Sequence, residues 1–229
     1  MPLTTISSQA VHYEIEHVTD LYRSILESVL SSCATGLSGA GKVIEVDARS
    51  IPASNQRFGL VLTSPPYPNR ISYIRELRPY MYWLKFLEEA REAGEMDWKA
   101  IGGTWGIATS RLNSWETTDG KLPDILEETV TRIASTEAKN APLLATYVLK
   151  YFHDMHMHPA SLPHALEPGA KLHYIVGNST FFGNVVDTPR ILCASMEMLG
   201  YRSMASKIIR KRNSNRALFE YDVTAVWPG

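Results

Sequence analysis

The segment Thr63-Ser64-Pro65-Pro66-Tyr67 has the clearest chemical capacity in the sequence. Two adjacent prolines fix two backbone φ angles and remove two N–H donors. Each also pushes the residue before it to extended geometry. Such a loop is stiff, and it can present the Ser64 hydroxyl and the Pro65 carbonyl as hydrogen-bond acceptors. Tyr67 offers a flat aromatic face for stacking. The combination suits a planar substrate bearing an exocyclic amine. Ser64, Pro65, Pro66 and Tyr67 are therefore the candidate catalytic residues, and Asn69 and Arg70 are the polar groups nearest a bound substrate.

The elements around this loop can be read from hydrophobic spacing. Phe58 to Thr63 (FGLVLT) runs directly into it, with the near-continuous apolar character of a strand buried on both faces. Open α/β sheets bind ligands at the carboxyl ends of such strands. Upstream, residues 14–34 carry an apolar stripe at helical spacing, Thr35 to Gly41 is a Gly/Ser loop, and Val43 to Val46 is a short β-branched run expected to be a strand. Downstream, residues 70–90 read as a helix with Pro79 marking a kink, and 124–139 and 142–157 read as helices. Lys171 to Val176 is a strand, and 187–199 is a helix stopped by Gly200. The stretches 202–212 and 217–227, separated by NSNR, form an antiparallel hairpin. Residues 91–140 are polar and rich in Gly, Thr, Ser and Trp, so they read as an insertion rather than scaffold. The division is then a core of 1–90 and 141–229, with 91–140 as a possible target-recognition region. The expected class is α/β, a mainly parallel sheet closed by a C-terminal antiparallel hairpin.

LVLTSPPYPN resembles motif IV of the amino-group DNA methyltransferases, S-adenosylmethionine enzymes that modify cytosine N4 or adenine N6. The serine form of the motif is associated mostly with cytosine N4. VIEVDARSIP upstream resembles the strand whose Asp47 contacts the cofactor's adenine, with Ala48 and Thr63 beside it. EPGAKLHYIVGNS and MLGYRS resemble later parts of the catalytic core. The resemblance implies a partial class I (Rossmann-like) methyltransferase fold and a restriction–modification type of DNA transferase. It also implies that the target base is flipped out of the duplex, at a cost of about a few kcal/mol. Stacking on Tyr67 returns roughly 1–3 kcal/mol. Hydrogen bonds from the amine to Ser64 and the Pro65 carbonyl favour a pyramidal, more nucleophilic nitrogen, and methyl transfer is an in-line displacement governed by positioning. Neither Cys33 nor Cys193 follows a proline, so the Pro-Cys loop of ring-carbon methylation is absent.

The sequence departs from the family in one respect. Its members bind the cofactor with a glycine-rich turn after the first strand, and no FxGxG occurs anywhere in this chain. The resemblance therefore implies a split enzyme, in which a second polypeptide supplies that turn and helix 14–34 packs at the break. Adenine-N6 or RNA methylation is an alternative with the same geometry. A non-catalytic DNA-binding or scaffold subunit is another.

GLSGAGK (Gly36 to Lys42) has phosphate-loop spacing, but Val43 stands where Ser or Thr is needed and the strand–loop–helix order is reversed. His153, His156 and His158 with Asp154 suggest metal ligands, yet the three imidazoles do not share one helical face, and a polar helix end before Pro159 explains them. IGGTWGIATSR is either a DNA-reading loop, with Trp105 and Arg111 as probes, or a structural one. Arg202, Lys207, Arg210, Lys211, Arg212 and Arg216 lie in a stretch free of acidic residues, and Arg210 and Arg212 are the candidate phosphate contacts.

Composition bounds these readings. The chain has 229 residues, of which 45% are hydrophobic and 21% charged, which excludes a disordered chain. A formal net charge of -1 excludes an overall basic coat but not a local basic face. No apolar run reaches membrane-helix length. The sequence MPLTTISSQAVHYEIEH lacks a basic region followed by an apolar core, so no secretory signal is expected. Two cysteines in no metal or redox spacing suit a reducing cytoplasm, and no metal is expected.

Overall fold

The periodicity of residues 14–34 is realised as helix α1 (Ile15–Ala34), the main element of a first compact unit spanning Met1–Glu45. A computed structural model of the chain describes residues 15–36, 39–69, 71–103, 107–117, 121–212 and 217–229. Within its own unit the apolar stripe of α1, including Leu21, Ile25 and Val29, has no packing partner among the described residues.

The second unit, Val46–Gly229, holds the remaining elements. In chain order these are β1 (Phe58–Thr63), α2 (Tyr73–Trp83), α3 (Ala90–Lys99), α4 (Ile107–Leu112), α5 (Asp124–Ala134) and α6 (Ala141–Ser161). After a short turn at Pro163–Ala165 come β2 (Leu166–Gly177), β3 (Ser179–Phe181), β4 (Asn184–Val186), α7 (Thr188–Met198), β5 (Arg202–Lys211) and β6 (Phe219–Val226). The main sheet has the order β1-β2-β6-β5. Only β1 and β2 run parallel, while β6 is antiparallel to both β2 and β5. The sheet is thus mixed, not mainly parallel, because the expected C-terminal hairpin inserts β6 between β2 and β5.

Alternation along β2 divides the sheet into two faces. Ala170, Leu172, Tyr174 and Val176 are buried, and they pack with Val223 and Ala225 of β6. Helices complete this core with Leu126 and Ile133 of α5, Tyr147, Val148, Tyr151 and Met155 of α6, and Ile191, Leu192 and Met196 of α7. Residues 91–140, read from composition as an insertion outside the scaffold, contribute Leu112, Leu122, Leu126 and Ile133 to this core. Helix α6 runs through Pro159 rather than ending before it. Pro159 has no N–H to return to the preceding turn, and its carbonyl accepts from the Tyr201 hydroxyl at 2.7 Å. Gly200 ends the α7 segment at φ +89, as its type predicts. The β3–β4 hairpin was not anticipated. Its turn uses Phe182 at φ +51 and Gly183 at φ +82.

Two corrections concern the strands before the SPPY loop. Val43 to Val46 is not a strand. A strand exists only where a neighbour satisfies its backbone, and among the described residues none pairs with it. Strand β1 is formed, but it is not buried on both faces. It occupies a sheet edge, where Leu62 is 71% exposed and Phe58 and Leu60 are also exposed. Helix α2, which follows, has no buried residue; Tyr73, Leu77, Tyr80 and Trp83 all face outward, Trp83 at 78% exposure. Among the described residues no helix is long and apolar enough to cross a membrane.

The contrast between these regions is measurable by urea denaturation of the isolated chain. Leu126→Ala, at a fully buried position, should cost about 2–5 kcal/mol. Trp83→Ala should change the unfolding free energy by less than about 0.5 kcal/mol.

Candidate active site

Strand β1 delivers the Thr63–Tyr67 loop at its carboxyl end. Thr63 pairs in register with Tyr174 of β2. The next residue, Ser64, is exposed, and its hydroxyl lies 3.4 Å from the Ile175 carbonyl. Behind Ser64 the loop is held from the helical side. The Tyr151 hydroxyl donates to the Pro66 carbonyl at 2.7 Å, and Gly102 lies against Pro66, Tyr147 and Tyr151. Burial raises the Tyr151 phenol well above its ordinary range, so it remains a donor. Pro65 is half-buried, and among the described residues its carbonyl has no hydrogen-bond partner. The loop is thus anchored from behind, while the Ser64 hydroxyl also meets the Tyr67 side chain.

Tyr67 is more constrained than the sequence suggested. Its hydroxyl donates to Glu220 at 2.5 Å, and the Arg212 guanidinium lies 4.9 Å from the ring centroid. Burial, then Glu220, pushes the phenol up to about 12. Pro68, buried, and Asn69 turn the chain toward α2. The Asn69 side chain accepts from the Ile71 N–H at 3.2 Å, and Ser72 caps α2 by accepting from the Arg75 N–H at 3.1 Å. Asn69 is therefore a turn-forming residue, and Arg70 lies outside the described residues. The buried Ser72 hydroxyl donates to Asp97, and Gly103 must be glycine there, since a Cβ would fall 1.7 Å from the Asp97 carbonyl oxygen. Part of IGGTWGIATSR is thereby structural. Arg111 is also engaged, bidentate with Glu95 at 2.7 and 2.9 Å, and Trp105 lies outside the described residues.

Of the residues expected to hold a cofactor, Thr63 opens this loop, while Asp47 and Ala48 are engaged elsewhere. Asp47 accepts from the backbone N–H, Nε and Nη2 of Arg49, while Arg49 also donates to Asp154 at 3.3 Å and to the Lys99 carbonyl at 2.9 Å. Ala48 sits in the turn between them. This ties Asp47 and Ala48 to α3 and α6, and among the described residues neither is hydrogen-bonded to Thr63 or Ser64. Gly177, at the end of β2, is the glycine nearest the loop. A Cβ there would lie 2.6 Å from Arg212 Cζ and 2.8 Å from Tyr67 Cδ2. Protein groups already occupy the space that a closely approaching ligand would need.

Two arginines of the basic hairpin are engaged by the protein itself, Arg210 with an exposed side chain and Arg212 half-buried. Arg210 pairs with Glu220 at 2.6 Å, and Arg212 donates to the Phe219 and Asn178 carbonyls. The His153–His158 group disperses. His156 meets Ser195 at 2.7 Å, His158 meets the Tyr174 hydroxyl at 2.7 Å, and His153 packs edge-on against Trp115. Among the described residues there is no group of His, Cys, Asp or Glu that could hold a metal ion. Glu220 and Gly177 also contact Tyr67, and neither stands out by sequence position alone. Two acidic residues, Glu220 and Asp222, on the strand that pairs with the basic one, and a glycine ending a strand, are the available signals.

No protein family, curated protein or solved structure matches the chain. Functional inference therefore rests on its own residues and geometry.

The Asp47–Arg49 pair has a defined pH signature. Arg49 holds the Asp47 carboxyl at about 2, below its value in an unfolded chain. The pair's contribution is full above about pH 4 and is lost as pH falls through the folded value. The Asp47 side chain is about half exposed, so Asp47→Asn should cost less than about 1 kcal/mol at pH 6. That difference should shrink between pH 4 and pH 2 in urea titrations, and a difference unchanged over this range would contradict the assignment.

Proposed function

We propose that this chain is the catalytic-loop subunit of an S-adenosylmethionine-dependent DNA methyltransferase. It acts on the exocyclic N4 of a flipped cytosine and is completed by a second polypeptide that carries the cofactor-binding turn. The observation that carries the proposal is the position of the SPPY loop. It emerges from the carboxyl end of a parallel edge strand whose second edge is bare among the described residues.

The chain's own residues act on the amine. Ser64 and the Pro65 carbonyl accept its two N–H groups, orient the nitrogen lone pair and disfavour its delocalisation into the ring. These contacts strengthen as the nitrogen becomes pyramidal, so they stabilise the transition state more than the ground state. Tyr67 stacks on the extruded base. The methyl donor, when bound, supplies an electrophilic carbon, and the groups that hold it come from the partner.

The partner is supported by two features of the fold. An exposed, unpaired, apolar edge strand is a surface that proteins cover. Leu60 and Leu62 of β1, together with the outward-facing Leu77, Tyr80 and Trp83 of α2, are more apolar surface than a subunit acting alone exposes without purpose. The Rossmann-like character of the whole sheet belongs to the completed pair, with the partner's strands extending it beyond β1.

The isolated chain should bind S-adenosylmethionine weakly or not at all by calorimetry, and co-expression with the partner should restore binding. Tight binding by the chain alone would sink the split arrangement. In the complex, Ser64→Ala should lower transfer by about 10²-fold or more, by analogy with removal of one preorganised polar group. Mass spectrometry of nucleosides from DNA of cells carrying both chains should show N4-methylcytosine. N6-methyladenine would reassign the base, and no modified nucleoside would leave a scaffold role.

A further inference from the structure

Tyr67 is gripped at two points by residues of the β5–β6 hairpin. Its hydroxyl donates to Glu220 on β6, and that carboxylate also accepts from Arg210 Nε at 2.6 Å and Nη2 at 3.3 Å on the neighbouring strand. The ring itself lies under the Arg212 guanidinium at 4.9 Å. Arg212 is in turn tethered by donating to the carbonyls of Phe219 and Asn178. Asn178 closes the arrangement by accepting from the Phe219 N–H at 2.8 Å and donating to the Ala217 carbonyl at 2.9 Å. Gly177 admits both Tyr67 and Arg212, since any larger residue would collide with each.

This convergence is costly to assemble for mere loop anchoring. The loop is already fixed by two prolines and by Tyr151 on Pro66. What Glu220 and Arg212 add is control of the two torsions left to the side chain, χ1 and χ2, which set the direction and tilt of the ring.

We infer that Glu220 and Arg212 are positioning residues for Tyr67. The hairpin, and not the SPPY loop alone, sets the ring against which an extruded base stacks. A ring held at its hydroxyl and over its face is preorganised and need not be ordered when the base arrives. The catalytic consequence rests on the transfer activity proposed above, whereas the positioning itself does not.

The test separates the two. The chain is labelled with 3-fluorotyrosine, and the Tyr67 fluorine resonance is assigned by its disappearance in Tyr67→Phe. Glu220→Ala should shift or broaden that resonance, Glu220→Gln, which keeps an acceptor oxygen of the same shape, should largely restore it, and Arg212→Lys should move it. Melting curves verify that each variant is folded. With the partner present, Glu220→Ala should lower kcat about tenfold with little change in KM for S-adenosylmethionine, as the loss of one hydrogen bond to a charged group allows. A Tyr67 resonance unmoved in folded Glu220→Ala overturns the inference. A moved resonance with full kcat overturns its catalytic part. A moved resonance with no transfer by the wild-type complex sinks the methyltransferase reading and leaves the positioning standing.

Discussion

A strand paired on one side only leaves half of its backbone donors and acceptors to be satisfied by something else. That constraint governs β1 and, through it, most of the molecule. The strand is held in line by parallel pairing with β2, which brings Thr63 beside Tyr174 and aims the SPPY loop past the end of the sheet. Its other edge is bare among the described residues, and its apolar residues Leu60 and Leu62 lie on the sheet face opposite the helical core. The same circumstance accounts for Val43 to Val46. Those residues have strand-like chemistry but remain irregular, because β structure needs a neighbour more than it needs propensity.

The loop shows how stiffness and exposure are reconciled. Its rear is fastened to the core through Tyr151 and Gly102, and its far end to the hairpin through Tyr67. Its front, Ser64 and the Pro65 carbonyl, is left with acceptor capacity. Carboxylate, arginine and phenol share a small volume there, and each satisfies the others. Arg210 and Tyr67, in that order, hold Glu220 in its charged form, while burial keeps Tyr67 a phenol. The local basic character that suggested phosphate contact is partly met by the protein's own groups, at Arg210 by Glu220 and at Arg212 by the Phe219 and Asn178 carbonyls.

Much of the fold was legible in the sequence because helices and hairpins are local. The stripe of α1, the span of α7 with Gly200 behind it, and the β5–β6 hairpin follow from spacing and turn residues alone. Where sequence reading went astray, the deciding contact was distant. Residues 91–140 look polar on average, yet Leu112, Leu122, Leu126 and Ile133 reach the core, and an average conceals four well-placed leucines and isoleucines. FGLVL reads as a buried strand because hydrophobicity reports what a segment is suited to, not what this chain provides to cover it. Arg111 looks like a probe until Glu95, sixteen positions away, claims it.

The sequence by itself determined the chemistry on offer at the loop. Two prolines dictate a rigid backbone wherever they stand, and Ser64 and Pro65 carry acceptors in any context. It also revealed that no glycine-rich cofactor turn is present, because that is a matter of covalent order. Only the tertiary structure decided which groups surround Tyr67, because Gly177, Arg212 and Glu220 meet it through strand pairing across more than a hundred residues. It alone also decided that β1 lies at an edge, since a strand's neighbours are fixed by the topology of the whole sheet and leave no mark on the strand's own residues.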